Sequence, residues 1–108
     1  FTIAIINAES LGGERRMTVR EECLKGAVEI VCKDRESQYG KPEDNFAKIA
    51  GLWSVYLCSD INPEDVAMMM ALLKIARAST GKYKADNYID LAGYAACGME
   101  IAQKMVAD

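Results

Sequence analysis

The sequence predicts a small all-α domain of about four helices, and three observations support this fold class. Apolar residues recur at three- and four-residue spacing along most of the chain, as they do on one face of an α-helix. Capping residues and prolines stand where three of these stretches begin. The chain has 108 residues and 51% apolar content, which is enough for one core in a single domain.

The first residues predict an extended arm rather than a helix. Residues 2–6 are rich in β-branched side chains and favour a short strand, and a glycine-containing linker follows at 9–13. We therefore interpret residues 1–16 as an N-terminal arm or a non-native extension, and residues 17–108 as the helical domain. We expect the natural protein to begin at Met17, because the residues before it match what purine-rich ribosome-binding codons would encode.

A capping box predicts where the first helix begins. Thr18 and Glu21 stand three residues apart, so each side chain can bind the other residue's backbone N–H. The helix is predicted over about 18–33, and the polar stretch 33–41 is predicted to be a loop or a helix-terminal turn. The apolar positions of this helix are Val19, Cys23, Ala27, Ile30 and Val31.

Two prolines predict the starts of the second and third helices. Pro42 suits a first helical turn and is followed by acids, and 62–65 repeats this signal with a capping asparagine. The third helix is predicted to end near Gly81, and a long fourth helix to begin near Asp86. The predicted buried residues are Phe46, Ile49, Ala50, Trp53, Tyr56 and Leu57 in the second helix, and Val66, Met69, Met70, Leu73 and Ile75 in the third.

Charge and residue usage exclude several classes of function. A formal net charge of −3 argues against binding duplex nucleic acid. The absence of histidine excludes imidazole zinc sites and Ser-His-Asp triads, so a bound metal would need oxygen ligands, which suit magnesium or manganese. No stretch has the ~20 apolar residues of a membrane span, so we expect a cytoplasmic protein. We interpret the cysteines, which are Cys23, Cys32, Cys58 and Cys97, as buried reduced thiols.

Four charged residues of the third and fourth helices form the first candidate site. Asp86 and Asp90 lie four apart on one helix face, where they suit a shared divalent cation, or else a helix cap and the helix dipole. Lys74 and Arg77 lie three apart near a helix C-terminus. These cations suit a phosphate, the helix dipole or a carboxylate partner. The spacing alone leaves these alternatives open.

A second candidate cluster precedes the second helix. It contains Glu36, Tyr39, Glu43 and Asn45. Taken singly, Glu43 is most simply an acid that stabilises the first turn of the helix. Together the four supply carboxylate, hydroxyl and amide groups within ten residues of chain.

Several separated blocks of sequence resemble a family of short bacteriophage and prophage proteins of undetermined function. The blocks are Asp34-Arg35-Glu36-Ser37-Gln38-Tyr39-Gly40, Glu43-Asp44-Asn45-Phe46, Pro63-Glu64-Asp65-Val66, Leu73-Lys74-Ile75-Ala76-Arg77 and Lys84 to Tyr94. Their agreement in order makes the resemblance fairly specific. The family in turn resembles the MazG-like all-α nucleoside triphosphate pyrophosphohydrolases.

The resemblance implies a four-helix MazG-like bundle that uses magnesium, with manganese as the alternative, to split a nucleotide between its α- and β-phosphates. It also implies a homodimer or homotetramer, working in the host cytoplasm if the protein is phage-encoded. On this interpretation Glu36 orients the water, the substrate is bound by Lys74, Arg77, Tyr39 and Asn45, and the metal by Asp86, Asp90 and Glu43. The family's first acidic pair is missing, since 66–77 contains no acid.

Three functions therefore remain open at the level of sequence. The first is a magnesium-dependent nucleoside triphosphate pyrophosphohydrolase, and the second is a nucleotide-binding module without turnover. The third is a structural or interaction protein in which Lys74 and Arg77 pair with Asp86 and Asp90 in a buried network. A short link between the last two helices predicts that they run antiparallel and bring these charges together. The helix faces with Met68, Ala71, Ala92 and Ala96 predict self-association.

Overall fold

The computed structural model describes residues 16–107 and confirms the all-α class, with no β-strand in that range. Its elements are α1 (Val19–Glu29), a π-helical segment here called the π turn (Ile30–Asp34), α2 (Arg35–Tyr39), α3 (Pro42–Leu57), α4 (Pro63–Ala78) and α5 (Ala85–Ala107). Because α1, the π turn and α2 follow one another without a break, the described chain forms four helical rods, as predicted. The predicted arm falls on residues that, apart from Arg16, lie outside the described range.

Local capping interactions begin the helices where the sequence predicts them. The hydroxyl of Thr18 accepts a hydrogen bond from the backbone N–H of Glu21 at 3.2 Å, and the Glu21 carboxylate accepts one from the N–H of Thr18 at 2.9 Å. Asn62 and Asp65 form the same reciprocal pair at 2.8 and 3.0 Å. Each box satisfies backbone donors that a helix start leaves unpaired.

The loop or helix-terminal turn predicted over 33–41 is wrong for most of this stretch, because the first helix continues through it as the π turn and α2. The rod ends at Gly40, whose φ of 83° is a conformation that favours glycine. Since α2 is exposed along its whole length, it lacks the apolar pattern by which a helix is recognised in a sequence.

The core lies where α3, α4 and α5 meet, with Phe46, Ala50, Val66, Ala67, Cys97 and Ile101 as its buried residues. A β-carbon on Gly98 would lie only 3.3 Å from the β-carbon of Ala67, so α4 and α5 are in close contact. Along α4, Ala67 comes before Lys74. Along α5 their partners follow in the reverse order, with Asp90, which pairs with Lys74, before Gly98, which contacts Ala67. Helices α4 and α5 therefore run antiparallel, as predicted.

Several residues predicted to be buried are exposed. Tyr56 is 86% exposed, and Leu57, Met69, Leu73 and Ile75 are each at least 36% exposed. Cys32 and Cys58 are exposed as well, whereas Cys97 is buried; all four cysteines are unpaired thiols. The physical reason is that a small packed layer of rods buries one stripe of each helix and leaves the flanking apolar positions at the surface. Within 16–107, no helix is long and apolar enough to cross a membrane.

Candidate functional site

A cavity of about 140 Å³ lies between the first rod and the helices of the core. Its inner lining is apolar and includes the buried side chains of Phe46 and Val66 together with Met70 and Tyr94. The rings of Phe46 and Tyr94 lie 6.3 Å apart between centroids and are tilted by 37°, which is within the range of favourable aromatic pairs. The cavity therefore has an apolar interior with aromatic walls.

Polar side chains line the same cavity nearer the solvent. Arg35, Glu36 and Tyr39 come from α2 and are exposed, whereas Asn45 of α3 and Asp90 of α5 are half-buried. Thus Glu36, Tyr39, Asn45 and Asp90, all predicted as site residues, line one cavity. Three helices contribute these groups, so only the packed structure brings them together.

Lys74 and Asp90 form an ion pair in which Nζ and Oδ2 are 2.9 Å apart. The two side chains are only 13% and 19% exposed, so solvent screens the pair weakly. This pair confirms the expectation that α4 and α5 bring the two charges together. It also means that the ammonium group of Lys74 offsets the charge that Asp90 would otherwise present to the cavity. Lys74 itself lies outside the cavity lining.

Arg77 and Asp86 do not join this pair. Arg77 is exposed in the last turn of α4, and Asp86 is exposed in the first turn of α5. Neither residue lines the cavity. Both positions suit the interaction of a charge with a helix dipole, which was the alternative reading of each.

The three predicted metal ligands do not converge. The Nζ of Lys104 in α5 donates a hydrogen bond to the Glu43 carboxylate. This hydrogen bond is the main cause of the raised pKa of Lys104, and the charges of nearby acids raise it further. Asp90 is held by Lys74, and Asp86 is exposed at the start of α5. Among residues 16–107 there is no group of three or more His, Cys, Asp or Glu side chains that would hold a metal ion. These residues therefore do not fit a shared magnesium site in the described chain.

Sequence reasoning missed three residues that shape the cavity. Arg35 supplies a positive charge and stands in one of the blocks that carried the family resemblance, so a signal for it was present. Gly93 allows close packing, because a β-carbon there would lie 2.8 Å from Cγ1 of Val31. Cys97 is a buried thiol whose pKa is raised from 9.0 to about 11, first by burial and then by the charges of Glu100 and Cys32.

Comparison with known proteins places the chain among phage proteins. Residues 22–102 match the family described as "Domain of unknown function (DUF6378)". The chain is 41% identical over 86 residues to the Gene 55 protein of Mycobacterium phage D29, which covers 80% of this chain and 57% of that protein. It is 45% identical over 73 residues to the Gene 55 protein of Mycobacterium phage L5, covering 67% of this chain and 47% of that protein.

The chain thus spans about half the length of the curated relatives that it matches. No solved structure matches it. The phage resemblance read from the sequence is confirmed by these relatives.

Proposed function

The chain belongs to the DUF6378 family, and from its cavity we propose that it binds a nucleotide, or a related small molecule that joins an aromatic ring to a phosphate. The single observation that carries this proposal is a cavity with aromatic and apolar walls inside and a cation, Arg35, nearer the solvent. A ligand of this kind has the same two ends. Binding sites of small molecules commonly combine an apolar lining with a few well-placed polar groups.

The size of the cavity favours one ring inside it. A dry apolar cavity of about 150 Å³ holds a benzene molecule in a well-studied engineered protein. The cavity here, at about 140 Å³, therefore accommodates a single aromatic ring but not a whole nucleotide. The sugar and phosphate would lie outside, beside α2, where Asn45 and Glu36 offer hydrogen-bonding groups to the sugar or to the edge of the ring.

Arg35 suits the phosphate end because its guanidinium has no carboxylate within 4.0 Å among the described residues. Arginine binds phosphate through two parallel N–H···O bonds, which gives both affinity and direction. Lys74 and Arg77, which the sequence predicted for this role, lie outside the cavity lining, so Arg35 takes that role in this proposal.

Binding without turnover is the form of the proposal that the site supports best. Glu36 lines the cavity and remains the candidate for orienting a water, but the predicted magnesium ligands do not converge. We therefore derive no catalytic step through a metal. Hydrolysis of a nucleoside triphosphate stays a prediction, and analysis of the reaction products in the presence of magnesium tests it.

We also propose that the protein self-associates and acts in the cytoplasm of the host. Of the predicted contact residues, Ala71 is buried inside the protomer. The outer face of α3, by contrast, exposes Leu52, Val55 and Tyr56 by 66%, 79% and 86%. Contiguous exposed apolar residues of this kind are typical of protein interfaces. Light scattering at micromolar concentration is expected to give a mass of at least twice 11.9 kDa, and a strictly monomeric protein would refute this part.

The test of the nucleotide proposal is a thermal-shift and calorimetric panel of nucleosides, nucleotides and inorganic phosphate, with and without magnesium. A ligand at 100 times its Kd should stabilise the protein by about 2.7 kcal/mol. Product analysis of the magnesium samples reports any hydrolysis. The proposal fails if neither nucleosides nor nucleotides shift the melting temperature at millimolar concentration.

A pair of asparagine variants localises the binding. Asn45→Leu removes polar groups at the cavity and should weaken binding about tenfold, the value of one hydrogen bond of ~1.4 kcal/mol. Asn87→Leu is the matched control, because Asn87 is also half-buried but lies outside the cavity lining. Equal effects of the two changes would place the ligand elsewhere.

A further inference from the structure

The π turn contains one residue more than an α-helical turn. Its closing hydrogen bond runs from the backbone N–H of Arg35 to the carbonyl oxygen of Ile30, five residues earlier. At the end of α2 the spacing is that of an α-helix, since the N–H of Gly40 donates to the carbonyl of Glu36 at 2.9 Å. The rod therefore absorbs a single extra residue between α1 and α2.

This extra residue decides which side chains share a face of the rod. The rod lines the cavity with Ile30, Val31, Arg35, Glu36 and Tyr39. With about 100° per residue, an uninterrupted α-helix counted from Ile30 would spread them over about 240°. Absorbing one residue turns the last three back by about 100°, and all five then fall within about 140°.

The π turn is also fixed against α5 by shape. Val31 lies in the turn, and its Cγ1 occupies space that a β-carbon on Gly93 would need, at 2.8 Å. Valine is stiff at χ1, so its methyl group cannot easily move aside. The absence of a side chain at Gly93 therefore lets the π turn dock closely at the edge of the cavity.

We infer that the π turn sets the rotation of α2, and that the residue it delivers to the cavity, Arg35, makes the site prefer phosphorylated ligands over neutral ones. The second half of this inference rests on the proposed nucleotide binding. The first half concerns the fold alone. A conversion of the π turn into α-helix without loss of a residue would rotate α2 by about 100°. This rotation would carry Glu36 and Tyr39 beyond the face that lines the cavity and would move Arg35 to the edge of that face.

Deleting one residue tests the rotation without any ligand. Deletion of Lys33 leaves four residues for a regular α-turn and keeps α2 in its present rotation, so the protein should melt at or above the wild-type temperature. Deletion of Lys48 is the matched control, an exposed lysine in a regular turn of α3 between the buried Phe46 and Ala50. That deletion rotates half of the α3 stripe out of the core and should lower the melting temperature by about 10 °C or more. Lys33→Ala corrects for the lost Lys33–Glu29 ion pair.

Affinity for a nucleoside and for its monophosphate tests the role of Arg35. The wild-type protein should bind the monophosphate about 10- to 100-fold more tightly, as expected for a charge-assisted hydrogen-bonded contact. Arg35→Ala should bring this ratio close to one, and Arg20→Ala, an exposed α1 arginine outside the cavity lining, should leave it unchanged. Deletion of Lys33 should keep the ratio, whereas insertion of an alanine after Lys33, which turns Arg35 by about 100° to the edge of the lining face, should lower it.

The results separate this inference from the proposed function. If the wild-type protein binds neither ligand, the proposed function and the role of Arg35 both fail, and the melting comparison still decides whether the π turn sets the rotation of α2. If the wild-type protein binds and the Lys33 deletion lowers the ratio as much as the insertion does, the rotation argument is overturned. An unchanged ratio in Arg35→Ala overturns the assignment of Arg35.

Discussion

The Lys74–Asp90 ion pair and the exposed Lys33–Glu29 pair allow the effect of burial on a salt bridge to be measured within one small protein. The two pairs have similar lengths, 2.9 and 3.1 Å, but differ in exposure: 13% and 19% against 63% and 49%. For each pair we consider the two single neutralising changes and the double change. These are Lys74→Met with Asp90→Asn, and Lys33→Met with Glu29→Gln.

The expected coupling energy of Lys74–Asp90 follows from its distance and burial. At an effective dielectric constant of ~20, opposite unit charges 2.9 Å apart attract by about 6 kcal/mol before desolvation is subtracted. Exposed pairs retain ~0–1 kcal/mol of such attraction, and breaking a fully buried pair costs ~3–5 kcal/mol. The residual exposure of this pair places its coupling between those limits, at about 2 kcal/mol. The Lys33–Glu29 control, four residues apart on one helix, should give about 0.3–0.5 kcal/mol.

Urea unfolding followed by circular dichroism measures the free energy of unfolding of each variant. The coupling energy of each pair is the difference between the effect of the double change and the sum of the two single changes. Asp90→Asn strands the Lys74 ammonium group, so the variant should melt about 10 °C below the wild type in the absence of ligand. At 1 M salt, where the screening length is ~3 Å, the control coupling should vanish while most of the Lys74–Asp90 coupling remains. Coupling energies that agree within ~0.3 kcal/mol would refute the burial argument. If instead Asp90→Asn leaves the protein as stable or more stable, the Lys74–Asp90 pair does not stabilise the fold and the burial argument fails.

Two further predictions concern Cys97 and two glycines. Because burial raises the pKa of the Cys97 thiol from 9.0 to about 11, the folded state keeps a proton that the unfolded state has lost. The stability that this retained proton provides is fully present below pH 9 and is lost as the pH rises through 11. Over this range, melting scans should therefore show the free energy of unfolding of the wild type falling by on the order of 2 kcal/mol more than that of Cys97→Ala. Gly51→Ala should stabilise the protein by about 0.5–1 kcal/mol, because α3 is open to solvent there and alanine favours helix. Gly93→Ala should instead destabilise it by about 1–2 kcal/mol, because the new methyl group meets Val31; equal melting temperatures for the two variants would contradict this packing.

The candidate site was predictable in part. Glu36, Tyr39 and Asn45 lie within ten residues of one another, and their polar character before a helix start was visible in the sequence. That a cation of α4 would meet an acid of α5 also followed from sequence, because a short link forces these helices to be neighbours. The sequence did not show that the pair would be Lys74 and Asp90. The joint placement of Asp90 with the second candidate cluster did not follow, since it depends on how α5 packs against the first rod.

By itself, the sequence determined the features that depend on contacts within three or four residues. The capping box at Thr18, the capping asparagine Asn62 and the proline at the start of α3 all follow from local backbone hydrogen bonds and allowed dihedral angles. Only the tertiary structure decided which apolar residues are buried, and it left Tyr56 exposed while burying Ala27. It also decided where the π turn docks, since Val31 packs against Gly93, sixty-two residues further along the chain. Periodicity shows that a helix has an apolar face, whereas the shape of the neighbouring helix selects the part of that face that is covered.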